Sequence, residues 1–235
     1  MAYNKFLQKY FKSSSTSFED KAQRGIALKD LVSKAYGYAE VNRINQQVVS
    51  TVIEKGKKVV LITSPHDDSG NTFMVSVLGY SAAYLNNLNV LLVDVNMRLP
   101  QLHLPFGLGM EKGFTDIASG SIHWKEVVKQ TSLPGLKVVT AGLPDERLPF
   151  FLNRPFLRVM IKEMCENFDM IIFDTSPLLI QNKNNVDPVR LSLLCDQVFI
   201  VIQDKITKKG KLKDSVAAVI EGGGKIDGVI FNRQF

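Results

Sequence analysis

Short runs that stay apolar up to a polar closing residue constrain this chain more than any other feature. Val59 to Thr63 reads VVLIT, Val90 to Asp94 reads VLLVD and Met170 to Asp174 reads MIIFD. A strand with one wet face alternates apolar and polar residues, whereas a continuous apolar run is buried on both faces and implies a parallel sheet. Further strands are predicted at Leu136 to Thr140, Gln197 to Ile202 and Ile226 to Phe231. Helical spacing occupies Thr72 to Asn86, Trp124 to Gln130, Phe156 to Glu166, Val186 to Cys195 and Lys211 to Glu221. The last of these is stopped by Gly222, Gly223 and Gly224. Ahead of the first strand, Asp20 to Lys55 lacks proline and predicts one or two helices bent near Gly37, while 96 to 124 reads as loop-rich. Strands alternating with helices give an α/β fold, a doubly wound, mostly parallel sheet flanked by helices in three layers.

A length of 235 residues, with 45% hydrophobic and 22% charged, suits one such domain, expected over 20–235. Residues 1–19 are expected to form a basic N-terminal arm and Ser-rich linker. In that arm Phe6, Leu7, Tyr10 and Phe11 stand among Lys5, Lys9 and Lys12, a pattern that fits a frayed arm or a short anchor on an anionic membrane surface. The net charge of +6 permits acidic partners but is too small to single one out. There is no signal-peptide pattern and no apolar run of spanning length, which predicts a cytoplasmic protein. Cys165 and Cys195 have no partner spacing and read as free thiols in a reducing compartment.

The sharpest local signal follows the first strand. Lys57 to Thr72, KKVVLITSPHDDSGNT, runs from strand through polar turn into helix, the layout of a phosphate-binding P-loop, G-x-x-x-x-G-K-[ST]. Gly70 and Thr72 stand where the second glycine and the hydroxyl belong, but Asn71 takes the place of the lysine and Pro65 that of the first glycine. Asp67 and Asp68 lie inside the turn. A carboxylate about 5 Å from a phosphate charge costs roughly 3 kcal/mol at an effective dielectric near 20, and losing the lysine removes an attraction of similar size. His66 with the two acids reads as a solvated turn rather than a metal site.

Ligands of doubly wound sheets bind beyond the carboxyl ends of the strands. Three such ends carry polar groups: the loop from Ser64 through Asp68, Gly70 and Asn71 to Thr72; Asp94 with Asn96 and Arg98; and Asp174 with Thr175. Thr72, Asp94 and Asp174 are the candidate magnesium ligands, and the two aspartates the candidate catalytic groups, because magnesium takes few carboxylates together with waters and phosphates.

These residues carry a family resemblance. NVLLVDVNMRLPQLHLPFGL resembles the second Walker motif of the bacterial tyrosine kinases of capsule and exopolysaccharide assembly, relatives of the MinD and ParA ATPases. FDMIIFDTSPLL resembles their Walker B segment, GFTDIASG their G-L-S-D segment and DGVIFNRQ their closing strand. The resemblance spans Glu40 to Phe235. It implies that Asn232 approaches a nucleotide base, that ATP and magnesium are the cofactors of a working site, and that a transmembrane chain-length or co-polymerase protein is the partner. Glu40, Arg43 and Gln46 match the E-x-x-R-x-x-R segment through which relatives assemble into rings, with glutamine in the last position.

The departures decide the reading. Against the family turn S-x-x-P-G-E-G-K-[ST]-T this chain has lost proline, first glycine, glutamate and lysine, and Asn96 replaces the second aspartate of the D-x-D pair. Active members carry a C-terminal tyrosine cluster, while the six tyrosines here all lie at or before Tyr84. The expectation is a silent kinase relative with lost or weak ATP binding. One alternative is an active ATPase or tyrosine kinase that uses a divergent loop and borrows Lys57 or Lys58. Another is a ParA-like or MinD-like positioning protein that binds nucleic acid, disfavoured by the R-x-P and F-G-L ending of the second Walker segment.

Overall fold

A computed structural model describes residues 30, 32, 34–35, 38–143, 156–180 and 186–233; the N-terminal arm and linker lie outside them. Helix α1 (Ala39–Lys55) ends on Gly56 in the left-handed region, φ 63°, whose amide closes the last turn. There follow β1 (Val59–Thr63), α2 (Asn71–Asn86), β2 (Val90–Asp94), α3 (Phe114–Ser119), α4 (Trp124–Val127), β3 (Lys129–Gln130), β4 (Leu136–Val139), α5 (Phe156–Asn167), β5 (Met170–Asp174), α6 (Pro188–Ser192), β6 (Gln197–Gln203), α7 (Lys209–Glu221) and β7 (Gly228–Asn232).

The strands form one seven-stranded sheet in the order β3-β4-β2-β5-β1-β6-β7. All pairs are parallel except the two-residue β3, which runs antiparallel to β4. Side chains alternate between the faces of a strand, so each apolar run feeds two cores. On one face Val59, Leu61, Leu91, Val93, Ile171 and Phe173 pack with α3, α4 and α5; on the other Val60, Ile62, Val90, Leu92, Met170 and Ile172 pack with α1 and α2. Burial on both faces makes β1, β2 and β5 buried at every position.

Three expectations change. The loop-rich 96 to 124 contains α3, whose start at Gly113 is held by the Asp116 carboxylate accepting from the Gly113 amide at 2.8 Å. The helix expected over Trp124 to Gln130 stops at Val127. Val128 turns extended (φ −70°, ψ 120°), and Lys129 continues as the edge strand with its ammonium on the Thr140 hydroxyl at 2.8 Å. The helix expected from Val186 to Cys195 is confined to α6, because Pro188 fits only a first helical position and Asp187 caps it, accepting from the Val189 amide at 2.9 Å.

Candidate functional site

The alternation that builds the cores also aims the acids. Asp94 and Asp174 share the parity of Val90, Leu92, Met170 and Ile172, so both carboxylates face α2. They are register partners on adjacent strands, and both are fully buried. Asp94 is held by the backbone: Oδ1 accepts from the Asn96 amide at 3.0 Å and Oδ2 from the Leu102 amide at 3.1 Å. Asp174 Oδ2 accepts from the Thr72 hydroxyl at 2.7 Å, while its Oδ1 has no partner among the described residues. Burial, and then the charge of Asp174, push the Asp94 carboxyl well above its ordinary range. Burial raises Asp174 to about 7, opposed by the Thr72 hydroxyl. Two such neighbours cannot both ionise freely.

The loop before α2 is pinned from several sides. The Asn232 amide donates to the Ser69 carbonyl at 2.9 Å from the end of β7. A Cβ on Gly70 (φ 93°) would stand 2.4 Å from that amide nitrogen, so glycine is required there for space as well as conformation. His66 Nδ1 lies 2.7 Å from the Asp67 carbonyl, which can only accept, so Nδ1 carries a proton, and Nε2 pairs with the Thr207 hydroxyl at 2.8 Å. The Ser64 and Ser69 hydroxyls both donate to the His66 carbonyl at 2.8 Å. Asp67 forms an ion pair with Arg98. Asp68 is exposed and sits in the left-handed region at φ 57°, a conformation favouring glycine, at the position where the family turn has one.

Asn71, in the lysine position, turns to the end of β5, where its amide nitrogen donates to the Thr175 carbonyl at 3.3 Å. Its Oδ1 is buried without a partner among the described residues. Among the described residues no backbone carbonyl takes the amides of Asp68, Gly70, Asn71 and Thr72. The loop has therefore kept free amides of the kind that cradle anions while losing the cation that accompanies them. Lys58 does not replace it: its ammonium is bound at the opposite end of β1 by the carbonyls of Cys165 (2.7 Å) and Phe168 (3.1 Å). Lys57, one residue further from the loop, is ruled out by the same strand length.

A cleft with about 580 Å³ of open space, its solvent-facing mouth included, lies over the loop and is lined among others by Ser64, Asp68, Asn71, Thr72, Asn96 and Pro177. The structure thus gathers Ser64, Asp68, Gly70, Asn71, Thr72, Asp94, Asp174, Arg98 and Asn232 around one sheet end. Arg98 is spent on Asp67 and Asn232 on the loop backbone. Glu40, Arg43 and Gln46 lie elsewhere, exposed on one side of α1. Sequence reading missed Thr207 and the Thr175 carbonyl as loop supports, because pairings across 141 and 104 residues leave no local period.

Hard oxygen donors around a buried oxygen without a partner fit magnesium. A triphosphate fits less well, since its crib has free amides but no lysine.

No family model matches the chain. It is 27% identical over 180 residues to the tyrosine-protein kinase CpsD of Streptococcus agalactiae, covering 76% of each. It is 25% identical to the tyrosine-protein kinase ptk of Acinetobacter johnsonii over 74% of this chain, which spans only 23% of that longer protein. Among solved structures, the chimeric protein CapA2B2 superposes with a TM-score of 0.75 at 19% identity, covering 88% of this chain and 90% of that one. The septum site-determining protein MinD of Pyrococcus horikoshii, in its Mg-ADP complex, gives 0.58 at 18% identity over 74% of this chain and 68% of its own.

Proposed function

We propose that this chain, a relative of the bacterial tyrosine kinases within the P-loop ATPases, is a catalytically silent member of a capsule or exopolysaccharide assembly system that works through protein partners. The observation that carries the reading is Asn71 in the lysine position, its amide committed to the Thr175 carbonyl, with the nearest guanidinium neutralised by Asp67. Each unit charge lost or gained about 5 Å from a phosphate is worth roughly 3 kcal/mol, or more than a hundredfold in affinity. Lys to Asn and Gly to Asp68 therefore act together against ATP.

The partner in this reading is a transmembrane co-polymerase or chain-length protein, and the chain is cytoplasmic. No helix among the described residues is long and apolar enough to cross a membrane. Nucleic acid is not part of the reading.

The test is calorimetric titration of ATP with magnesium. The natural protein should give no saturable heat at micromolar nucleotide, and the double variant Asp68→Gly/Asn71→Lys should recover binding. Micromolar ATP binding by the natural protein would overturn the proposal.

A second reading, an active ATPase or tyrosine kinase with a divergent loop, is favoured by the free loop amides and the retained Thr72, Asp94 and Asp174. In that case these three residues would hold magnesium, which would draw charge from the phosphates. Phosphate release that disappears in Asp174→Ala would support it.

A further inference from the structure

We propose that the altered loop has become a divalent-cation site that works without nucleotide, in which Asn71 contributes an oxygen where relatives place an ammonium. The proposal rests on the reading that triphosphate is rejected, and extends it.

Two buried oxygens at this end of the sheet lack hydrogen-bond partners among the described residues, Asn71 Oδ1 and Asp174 Oδ1. Asn71 is tethered to the end of β5, the strand that carries Asp174. The Asn71 amide nitrogen is fixed on the carbonyl of Thr175 at 3.3 Å, and the neighbouring Thr72 hydroxyl is fixed on the other oxygen of Asp174 at 2.7 Å. Adjacent residues at the start of α2 thus reach adjacent residues at the end of β5. A buried carboxylate oxygen left unpaired is costly, and a bound cation is the simplest group that satisfies it. Asp94, whose two oxygens are held by backbone amides, adds charge alongside rather than a free ligand atom.

The donors are a carboxylate, an amide carbonyl and a hydroxyl, all hard oxygens, which select magnesium, manganese or calcium. No group of three His, Cys, Asp or Glu suited to a metal occurs among the described residues, so a zinc-type set is not on offer there. The same substitution serves both halves of the argument. An ammonium at position 71 would attract phosphate and repel a bare cation; an amide oxygen reverses both preferences. Asp68, exposed at the cleft mouth, biases the field in the same direction.

The test uses the full chain in nucleotide-free buffer, with manganese as the probe, followed by electron paramagnetic resonance and by thermal unfolding. One saturable site per chain is expected, with a melting temperature that rises with manganese. Asn71→Ala and the near-isosteric Asp174→Asn should each weaken binding at least tenfold, with Asn71→Ala keeping the natural circular dichroism. Asn71→Lys should abolish binding of manganese alone. No manganese binding with or without ATP overturns the proposal and leaves the silent-kinase reading standing; manganese binding only in the presence of ATP overturns both. Natural affinity retained in Asn71→Ala and Asn71→Lys overturns the assignment of Asn71.

Discussion

Asp174 holds its proton up to about pH 7, whereas an aspartate in the unfolded chain loses it near 3.8. Between those values the folded state binds more protons than the unfolded one, so this group's contribution to stability is complete below pH 3.8 and disappears as pH rises through 7. Asp174→Asn keeps an acceptor for the Thr72 hydroxyl and cannot ionise. Urea titrations from pH 4 to 8 should show the natural protein losing stability relative to the variant as pH rises; parallel curves would refute the raised carboxyl. A second residue-scale expectation concerns Gly70, where φ is 93° and a Cβ would stand 2.4 Å from Asn232 Nδ2. Gly70→Ala should cost about 1–3 kcal/mol. A cycle with Asn232→Ala should return only the steric part, leaving the backbone strain.

Among the elements, α2 is legible because its apolar positions recur at helical spacing directly after a polar turn, and β2 and β5 because no polar residue interrupts them. α3 and β3 were hidden: they are six and two residues long, too short for a period to show, whereas α4 is expected from Trp124 but ends at Val127, short of the expected Gln130. Their placement depends on partners distant in sequence, such as Thr140 for Lys129. The close approach of α2 to β2 is also a tertiary property. A Cβ on Gly79 would lie 2.5 Å from Leu92 Cδ2, in a fully buried contact. Gly79→Ala should therefore destabilise by about 1–3 kcal/mol despite the better helix propensity of alanine, and Leu92→Ala in the same chain should relieve part of that loss. A thermal scan of Gly79→Ala, Leu92→Ala and the double variant, read as a cycle, decides it.

Over the whole molecule, the parallel sheet and its two cores were readable from the apolar runs. The candidate site was only half readable: the strand-end acids and Thr72 follow from pattern. The ion pair of Arg98 with Asp67 and the bond between His66 and Thr207 do not, since each joins two turns. Self-association belongs to this scale. Glu40 and Arg43 are exposed on one side of α1, so Glu40→Ala/Arg43→Ala should leave the melting temperature within about a degree or two. If the chain forms rings or smaller oligomers, sedimentation velocity should show the variant shifted to lower mass; unchanged association would exclude this surface.

The pairing of Asp94 with Asp174 in strand register also makes the sheet intolerant of misalignment. If β5 slid by a single residue, phenylalanine or threonine would face Asp94, and every buried side chain of the strand would swap faces, sending hydrocarbon where the acid belongs and the acid into hydrocarbon. Two neighbouring carboxyls at strand ends thus act as a checkpoint during assembly, rejecting near-native arrangements that a uniformly apolar strand would accept.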